Sequence, residues 1–169
     1  TRRSSDLITY TTPNGCTTTA PMYISTAPTT ITGTNTVCSG HTITLSNGTP
    51  GGTWTSSNPS VATVGASTGI VTGVVGGTAT ISYATLACNA AVYTVTVRQS
   101  PPPITGGITI CDGSSTTTVF NASPGGVWTI VGPASISSTG IITGLTVGAV
   151  NVVTYTMPNG CDARAPIIV

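Results

Sequence analysis

The chain has 169 residues, which is enough for one or two small domains, and only 4% of them are charged. It contains no Lys and no Glu. Its formal charge of +1 comes without a basic cluster, which argues against nucleic acid and anionic membrane surfaces as partners. No apolar run approaches the ~20 residues that a membrane helix needs. The composition therefore predicts neither nucleic-acid binding nor membrane insertion.

The beginning of the chain is repeated at its end. Residues 7–24 read LITYTTPNGCTTTAPMYI and residues 152–169 read VVTYTMPNGCDARAPIIV, and the two align without a gap. Other landmarks recur at about half of the sequence distance between these two segments: Cys38 with Cys111, Trp54 with Trp128, Tyr83 with Tyr155, and Cys88 with Cys161. A fixed period indicates a repeat architecture. It predicts a module tail at residues 1–26, a full module at 27–99 and a second full module at 100–169, arranged in a linear array.

Short β-type runs separated by Gly, Pro and Asn turns fill the first full module. Strands are predicted at residues 29–33, 41–47, 52–56, 61–64, 69–72, 78–85 and 91–97. Seven short strands suit an immunoglobulin-like sandwich, and no segment has apolar residues at helical spacing. The predicted fold is therefore all-β, with tandem antiparallel sandwiches. The expected core anchors, inner-face aliphatics and partly buried tyrosines are Trp54, Trp128, Ile81, Val153, Tyr83 and Tyr155.

The block that begins at Trp54 carries the most specific pattern. Trp54 is followed by S-x-x-P-S-V-A-T-V, then by T-G-x-V-T-G-V and by G-T-A-T-I, which ends at Ile81. This order resembles the bacterial immunoglobulin-like domain, group 2, which is built into long arrays on bacterial surface and secreted proteins. With a Cys after the first strand and N-G-C near the end, the chain resembles repeats of giant bacterial surface and adhesin proteins. The resemblance implies extracellular display, adhesion or matrix building, and it identifies no ligand.

The five cysteines are distributed with the repeat: Cys16, Cys38, Cys88, Cys111 and Cys161. Each full module has one cysteine before its second strand and one after its sixth, and Cys16 is the late cysteine of the module tail. Without a CxxC pair, this spacing favours a disulfide framework in an oxidising, extracellular setting. Zinc is the competing interpretation because His41 follows Cys38 closely. The third module has Ser114 in place of His41, and a zinc site needs more donors.

The connectivity has two candidate schemes. The simplest pairs Cys38 with Cys88 and Cys111 with Cys161, within each module. The second and sixth strands of such a sandwich run the same way, so these cysteines lie at opposite poles, ~23 Å apart for a seven-residue strand. Bridged Cα atoms lie within about 7 Å. A head-to-tail array instead pairs Cys38 with Cys161, and pole geometry slightly favours this scheme.

No catalytic constellation is visible in the sequence. Asp112 and Asp162 each follow a cysteine, where surface turns are expected rather than a pair of catalytic carboxylates. His41 is the sole histidine available to a Ser–His–Asp triad. Three acids spread over the chain do not form a calcium site. Asn47 and Asn121 stand in glycosylation patterns and are expected to be turn residues. The sequence thus predicts no enzyme activity, no cofactor and no metal.

The leading functional hypothesis is a structural segment of an extracellular filament or adhesin stalk, with copies of itself or adjacent modules as partners. A surface glycan or a host or substratum ligand is a further partner class. The alternative is a carbohydrate-binding or spacer module of a secreted enzyme, which requires exposed aromatic rings such as Tyr23 and Tyr93. A viral fibre or decoration domain is the third hypothesis.

The module tail leads to a separate expectation. Residues 6–24 hold the last two strands of a module, and two strands alone are marginally stable in water. Both full modules have all their own strands. The sequence therefore predicts that this hairpin completes a module whose front belongs to another segment, and that Cys16 has its partner outside this sequence.

Overall fold

The computed structural model describes residues 6–22, 27–85, 89–109 and 116–168. These residues form sixteen strands and no helix, and the predicted all-β class is confirmed. The strands are β1 Asp6–Thr11, β2 Thr17–Met22, β3 Thr36–Cys38, β4 Thr42–Thr44, β5 Thr53–Ser56, β6 Ala62–Val64, β7 Ile70–Gly73, β8 Gly77–Ala84, β9 Ala91–Arg98, β10 Thr105–Gly106, β11 Thr116–Phe120, β12 Val127–Val131, β13 Ser135–Ile136, β14 Ile141–Thr143, β15 Asn151–Thr156 and β16 Asp162–Ile167.

The strands β3 to β9 build a first sandwich of two sheets. One sheet has the order β3-β9-β8-β5 and the other has the order β4-β7-β6. All pairs are antiparallel except β3 with β9, which is parallel. Alternate residues of β8 point inward, so Ala79, Ile81 and Tyr83 are buried together with Trp54 of β5 and Val71 of β7. The apolar face of each sheet is thereby removed from water.

A second sandwich follows the same plan with the strands β10 to β16. Its sheets have the orders β12-β15-β16 and β10-β11-β14-β13. Val153 and Tyr155 of β15 are buried against Val119 of β11 and Ile142 of β14. A parallel bridge between Thr109 and Ile168 corresponds to the parallel pair of β3 and β9. Each sandwich therefore has its own hydrophobic core.

The strand predicted at residues 29–33 is wrong, and a glycine explains why. Thr32 makes only an isolated bridge to Ser46, and the chain then turns at Gly33, whose φ is +136°. A Cβ on Gly33 would lie 2.8 Å from the carbonyl oxygen of Thr44, so the close approach requires glycine. Beyond this turn the chain joins the opposite sheet as β3, a strand that the sequence pattern did not reveal. The other predicted strands differ from the observed ones mainly at their ends.

The N-terminal strands β1 and β2 form a two-stranded antiparallel hairpin of their own. Among the described residues these two strands pair only with each other. The side chains of residues 7–21 are exposed, apart from a half-buried Thr12. This hairpin therefore contributes to neither of the two cores.

Candidate functional site

The junction between the two sandwiches is closed by a disulfide bond. Cys38 ends β3 at one pole of the first sandwich, and Cys161 lies in the turn between β15 and β16. Their sulfur atoms are bonded, their Cα atoms are 5.8 Å apart, and 123 residues separate them in sequence. Cys161 is fully buried. The pairing that pole geometry favoured is therefore the one that forms.

The simpler scheme of cysteine pairing is wrong for these two residues. Cys38 does not bond Cys88, and Cys161 does not bond Cys111, because each already bonds the other. Cys88 and Cys111 lie outside the described residues. Cys16 is exposed and has no bond within the described part of the chain.

A reverse turn carries Cys161 to the junction. Gly160 has a φ of +87°, and its N–H donates to the carbonyl of Met157 at 2.9 Å. The side-chain oxygen of Asn159 accepts a hydrogen bond from the N–H of Cys161 at 3.0 Å. This local bond is typical of Asn in turns, and it fixes the tip of the hairpin.

Hydrogen bonds from the same turn reach the end of β9. The Arg98 guanidinium donates through Nη1 to the carbonyl of Asn159 at 2.9 Å. The Asn159 amide donates to the carbonyl of Gln99 at 2.9 Å. Sequence reasoning missed both Arg98 and Asn159 as junction residues. The recurring PNGC motif was the available signal, since it contains Asn159 and Cys161.

The start of the connection between the sandwiches is tied to the same pole. The N–H of Ser100 donates to Oγ of Ser39 at 2.9 Å, and Oγ of Ser100 donates to the carbonyl of Ser39 at 2.8 Å. Pro101, Pro102 and Pro103 follow directly. Proline fixes the backbone angle φ and so narrows the range of conformations that the connection can adopt. The junction thus combines a covalent bond, several hydrogen bonds and a stiff connection.

An aromatic pair marks the core of each sandwich. Trp54 lies opposite Tyr83 with ring centroids 4.7 Å apart, and Trp128 lies opposite Tyr155 at 4.6 Å. Trp54, Tyr83 and Tyr155 are at least 94% buried, whereas Trp128 is half-buried. The expectation that the two tyrosines are only partly buried is wrong, because their hydroxyl groups find partners inside.

The tyrosine hydroxyl groups bond the turn that precedes the Trp strand. Oη of Tyr83 donates to the carbonyl of Thr49 at 2.6 Å and accepts from the N–H of Gly52 at 2.8 Å. Tyr155 makes the same pair of bonds with Ser123 and Gly126. A Cβ on Gly52 or on Gly126 would lie 2.4 Å from the tyrosine ring, so only glycine fits there. Both turns share the sequence PGGxW.

The polar residues weighed for chemistry are dispersed. His41 is exposed, and its Nδ1 lies 3.4 Å from the carbonyl of Ser39. Asp162 pairs with Arg164 at 2.7 Å on the surface, and Asp112 lies outside the described residues. Within residues 6–22, 27–85, 89–109 and 116–168, no three His, Cys, Asp or Glu side chains converge on a common point. No helix in that part of the chain is long and apolar enough to cross a membrane.

The Asn side chains of the glycosylation patterns have structural partners. The Asn47 amide donates to the carbonyl of Thr29 at 2.6 Å, and the Asn121 amide donates to the carbonyl of Pro102 at 2.7 Å. Both amides therefore hold the incoming chain against a loop. Tyr93 is half-buried and donates to the carbonyl of Gly33 at 2.7 Å, while Tyr23 lies outside the described residues.

Comparison with solved structures finds chains that resemble this one at low sequence identity. The S-layer protein rSbsC(31-844) has 20% identity and a TM-score of 0.33, over 100% of this chain and 27% of that chain. Domains 4 and 5 of S-layer protein SbsC have 16% identity and a TM-score of 0.33, over 100% and 95%. Murine CEACAM1b has 14% identity and a TM-score of 0.31, over 83% and 98%. The chain thus spans about a quarter of the rSbsC(31-844) chain, at 27% of its length.

No curated protein matches the sequence. The family of bacterial Ig-like domains, group 2, matches residues 18–99. This stretch contains the first sandwich together with Trp54, Tyr83 and the turn that precedes Trp54. The resemblance seen in the sequence is therefore confirmed: residues 18–99 of this chain belong to the bacterial Ig-like domain family, group 2.

Proposed function

We propose that this chain is a structural repeat segment of an extracellular bacterial filament or adhesin stalk. In this proposal residues 27–99 and 100–169 are successive immunoglobulin-like modules, and residues 1–26 are the tail of another module. Two separate cores and two equivalent Trp–Tyr pairs support this division.

The observation that carries the proposal is the position of the disulfide bond. It joins the beginning of the first sandwich to the end of the second, across 123 residues of a chain of 169. A pull on the two ends of the chain is transmitted through Cys38 and Cys161, and the residues between them are bypassed. A bond placed in this way resists extension, which is the mechanical requirement of a stalk.

The same bond supports the proposed extracellular, cell-surface location. Disulfides persist in oxidising compartments and are rare in the bacterial cytoplasm. The near absence of charge also suits a fibre, because uncharged surfaces associate with little dependence on salt. The partners in this proposal are copies of the chain or neighbouring modules.

A catalytic role is not part of the proposal. The described residues hold no group of three or more His, Cys, Asp or Glu side chains that could bind a metal ion. The carbohydrate-binding alternative needs a platform of exposed aromatic rings. Trp54, Tyr83 and Tyr155 are buried in the cores, and the exposed Tyr10 and Phe120 lie in different sheets. A spacer module of a secreted enzyme and a viral decoration domain remain the competing proposals.

Immunogold electron microscopy of the producing cells tests this function. Antibodies raised against the chain are expected to label continuous filaments or stalks on the cell surface. Pre-immune serum is the control. Label confined to phage particles, or to a soluble enzyme in the culture medium, would contradict the proposal.

A further inference from the structure

The N-terminal hairpin has the geometry of the hairpin that completes the second sandwich. The strands β1 and β2 have six residues each, as do β15 and β16. In the first hairpin Tyr10 pairs with Thr18, and in the second Tyr155 pairs with Ala163. The connecting turns both have the sequence PNGC. The two hairpins are thus the same element in the same register.

The surroundings of the two hairpins differ. Val153 and Cys161 are fully buried, and Tyr155 is 5% exposed. The equivalent residues of the N-terminal hairpin are Ile8, which is 59% exposed, and Tyr10, which is 63% exposed. An apolar face that is buried in one copy of the element is therefore open to water in the other.

Neither sandwich of this chain has room for the N-terminal hairpin. The Trp54 strand β5 already pairs with β8, and the Trp128 strand β12 already pairs with β15. Each pair brings a tyrosine ring onto the tryptophan and under the glycine of a PGGxW turn. A place for Tyr10 therefore has to offer the same turn and the same open strand.

We propose that the N-terminal hairpin, residues 6–22, completes the core of a partner segment, which is an immunoglobulin-like front with a PGGxW strand and no final hairpin of its own. The strand β1 pairs with the Trp strand of that front, as β15 pairs with β12. Ile8 enters the partner's core, and the ring of Tyr10 lies on its tryptophan. The hydroxyl oxygen of Tyr10 accepts a hydrogen bond from the glycine N–H of the turn.

The docked hairpin also places Cys16 at one end of the completed module, as the second hairpin places Cys161 at the end of the second sandwich. In this chain the equivalent cysteine lies with its Cα 5.8 Å from that of Cys38. Cys16 thus reports on docking. Its thiol and a thiol at the partner's pole lose two protons and two electrons to oxidised glutathione and form one disulfide bond.

A shortened chain supplies the partner for the test. Residues 27–150 retain the first sandwich and the open strand β12, and they lack β15 and β16, so that Cys38 is unpaired. This acceptor is mixed with the full chain in a glutathione redox buffer. We expect a one-to-one complex in light scattering and a Cys16–Cys38 bridge between the two polypeptides in non-reduced peptide mass spectra.

Matched variants of the full chain separate docking from random oxidation. Ile8→Asn and Tyr10→Asn place a polar group on the inner face, and each is expected to slow bridge formation by about tenfold or more. Thr9→Asn on the opposite face is the control, with an expected change within about twofold. Equal rates for all three variants would overturn the proposal. A Cys16–Cys38 bridge among complete chains alone would also overturn it, because the partner would then be a second full copy.

A graft keeps the proposal testable if the acceptor does not fold. In this variant the sequence of residues 7–22 replaces residues 152–167 of the full chain, which puts Cys16 in the place of Cys161. We expect the variant to fold, with the transplanted cysteine bonded to Cys38. A variant that fails to form this bond while the parent chain forms it would contradict the proposal. These results do not depend on whether the chain belongs to a filament.

Discussion

At the scale of single residues, the hydroxyl group of Tyr83 joins the core to a turn. It donates to Thr49 and accepts from Gly52 in the turn that precedes the Trp strand. Because both partners are half-buried backbone groups, they lose these hydrogen bonds when the hydroxyl is removed. The tyrosine is thus a structural tie as well as an apolar group.

Replacement of Tyr83 tests this tie. We expect Tyr83→Phe to lower the free energy of unfolding by about 1–3 kcal/mol, because two half-buried backbone groups are left without partners. Tyr93→Phe is the control, since it loses a single bond to Gly33 at a half-buried position, and we expect about 0.5–1 kcal/mol. Urea denaturation followed by tryptophan fluorescence measures both. Equal losses for the two variants would mean that the two hydrogen bonds of the Tyr83 hydroxyl stabilise the fold no more than the single hydrogen bond of Tyr93.

At the scale of elements, the two PNGC hairpins give a comparison within one chain. Val153 of β15 is fully buried, and its counterpart Ile8 of β1 is largely exposed. We expect Val153→Ala to cost about 2 kcal/mol, because it removes buried methyl groups. Ile8→Ala is expected to change the stability of the isolated chain by less than about 0.5 kcal/mol. Thermal unfolding of both variants decides the matter, and a large loss for Ile8→Ala would show that the hairpin packs on its own chain.

The elements also show how far the sequence was informative. Alternating runs such as residues 78–85 were found because period-two patterns follow directly from one-sided burial. The strand Thr36–Cys38 was missed, since three residues carry too little pattern and its pairing with β9 is distant in sequence. The chain crosses to the opposite sheet at Gly33, and this turn depends on a close contact with Thr44. A local sequence pattern does not contain that contact.

The candidate site was predictable in part, and for a similar reason. The Cys38–Cys161 pairing followed from where strands begin and end, which the repeat reveals without any side-chain detail. The hydrogen bonds of Arg98 and Asn159 depend on how the facing ends of the two sandwiches are oriented. That geometry is set by tertiary contacts, so the spacing of residues along the chain did not reveal it.

At the scale of the whole molecule, the disulfide bond defines the path of a stretching force. Force that enters at the N-terminus reaches Cys38 early, crosses to Cys161 and leaves through the last strand. Most residues of both cores lie between these cysteines in sequence and are shielded once the bond is made, whereas Ile31 and Val37 before Cys38, and Ala165 and Ile167 after Cys161, stay on the loaded path. The hydrogen bonds at the junction act in the same direction, but they are individually weak compared with a covalent bond.

Single-molecule stretching of the full chain from its two ends tests this path. The bond closes a loop with a sequence separation of 123 residues. At about 3.4 Å for each extended residue, its opening releases roughly 400 Å of additional length. We expect the oxidised chain to lack this length at any force below rupture of the bond, and the reduced chain to show it. Cys38→Ser without reductant is expected to behave as the reduced chain does, whereas Cys16→Ser, which leaves the bond intact, is expected to match the oxidised chain. The same extension for the oxidised chain and for Cys38→Ser would mean that the load does not pass through the disulfide, and the mechanical argument for a stalk would fail with it.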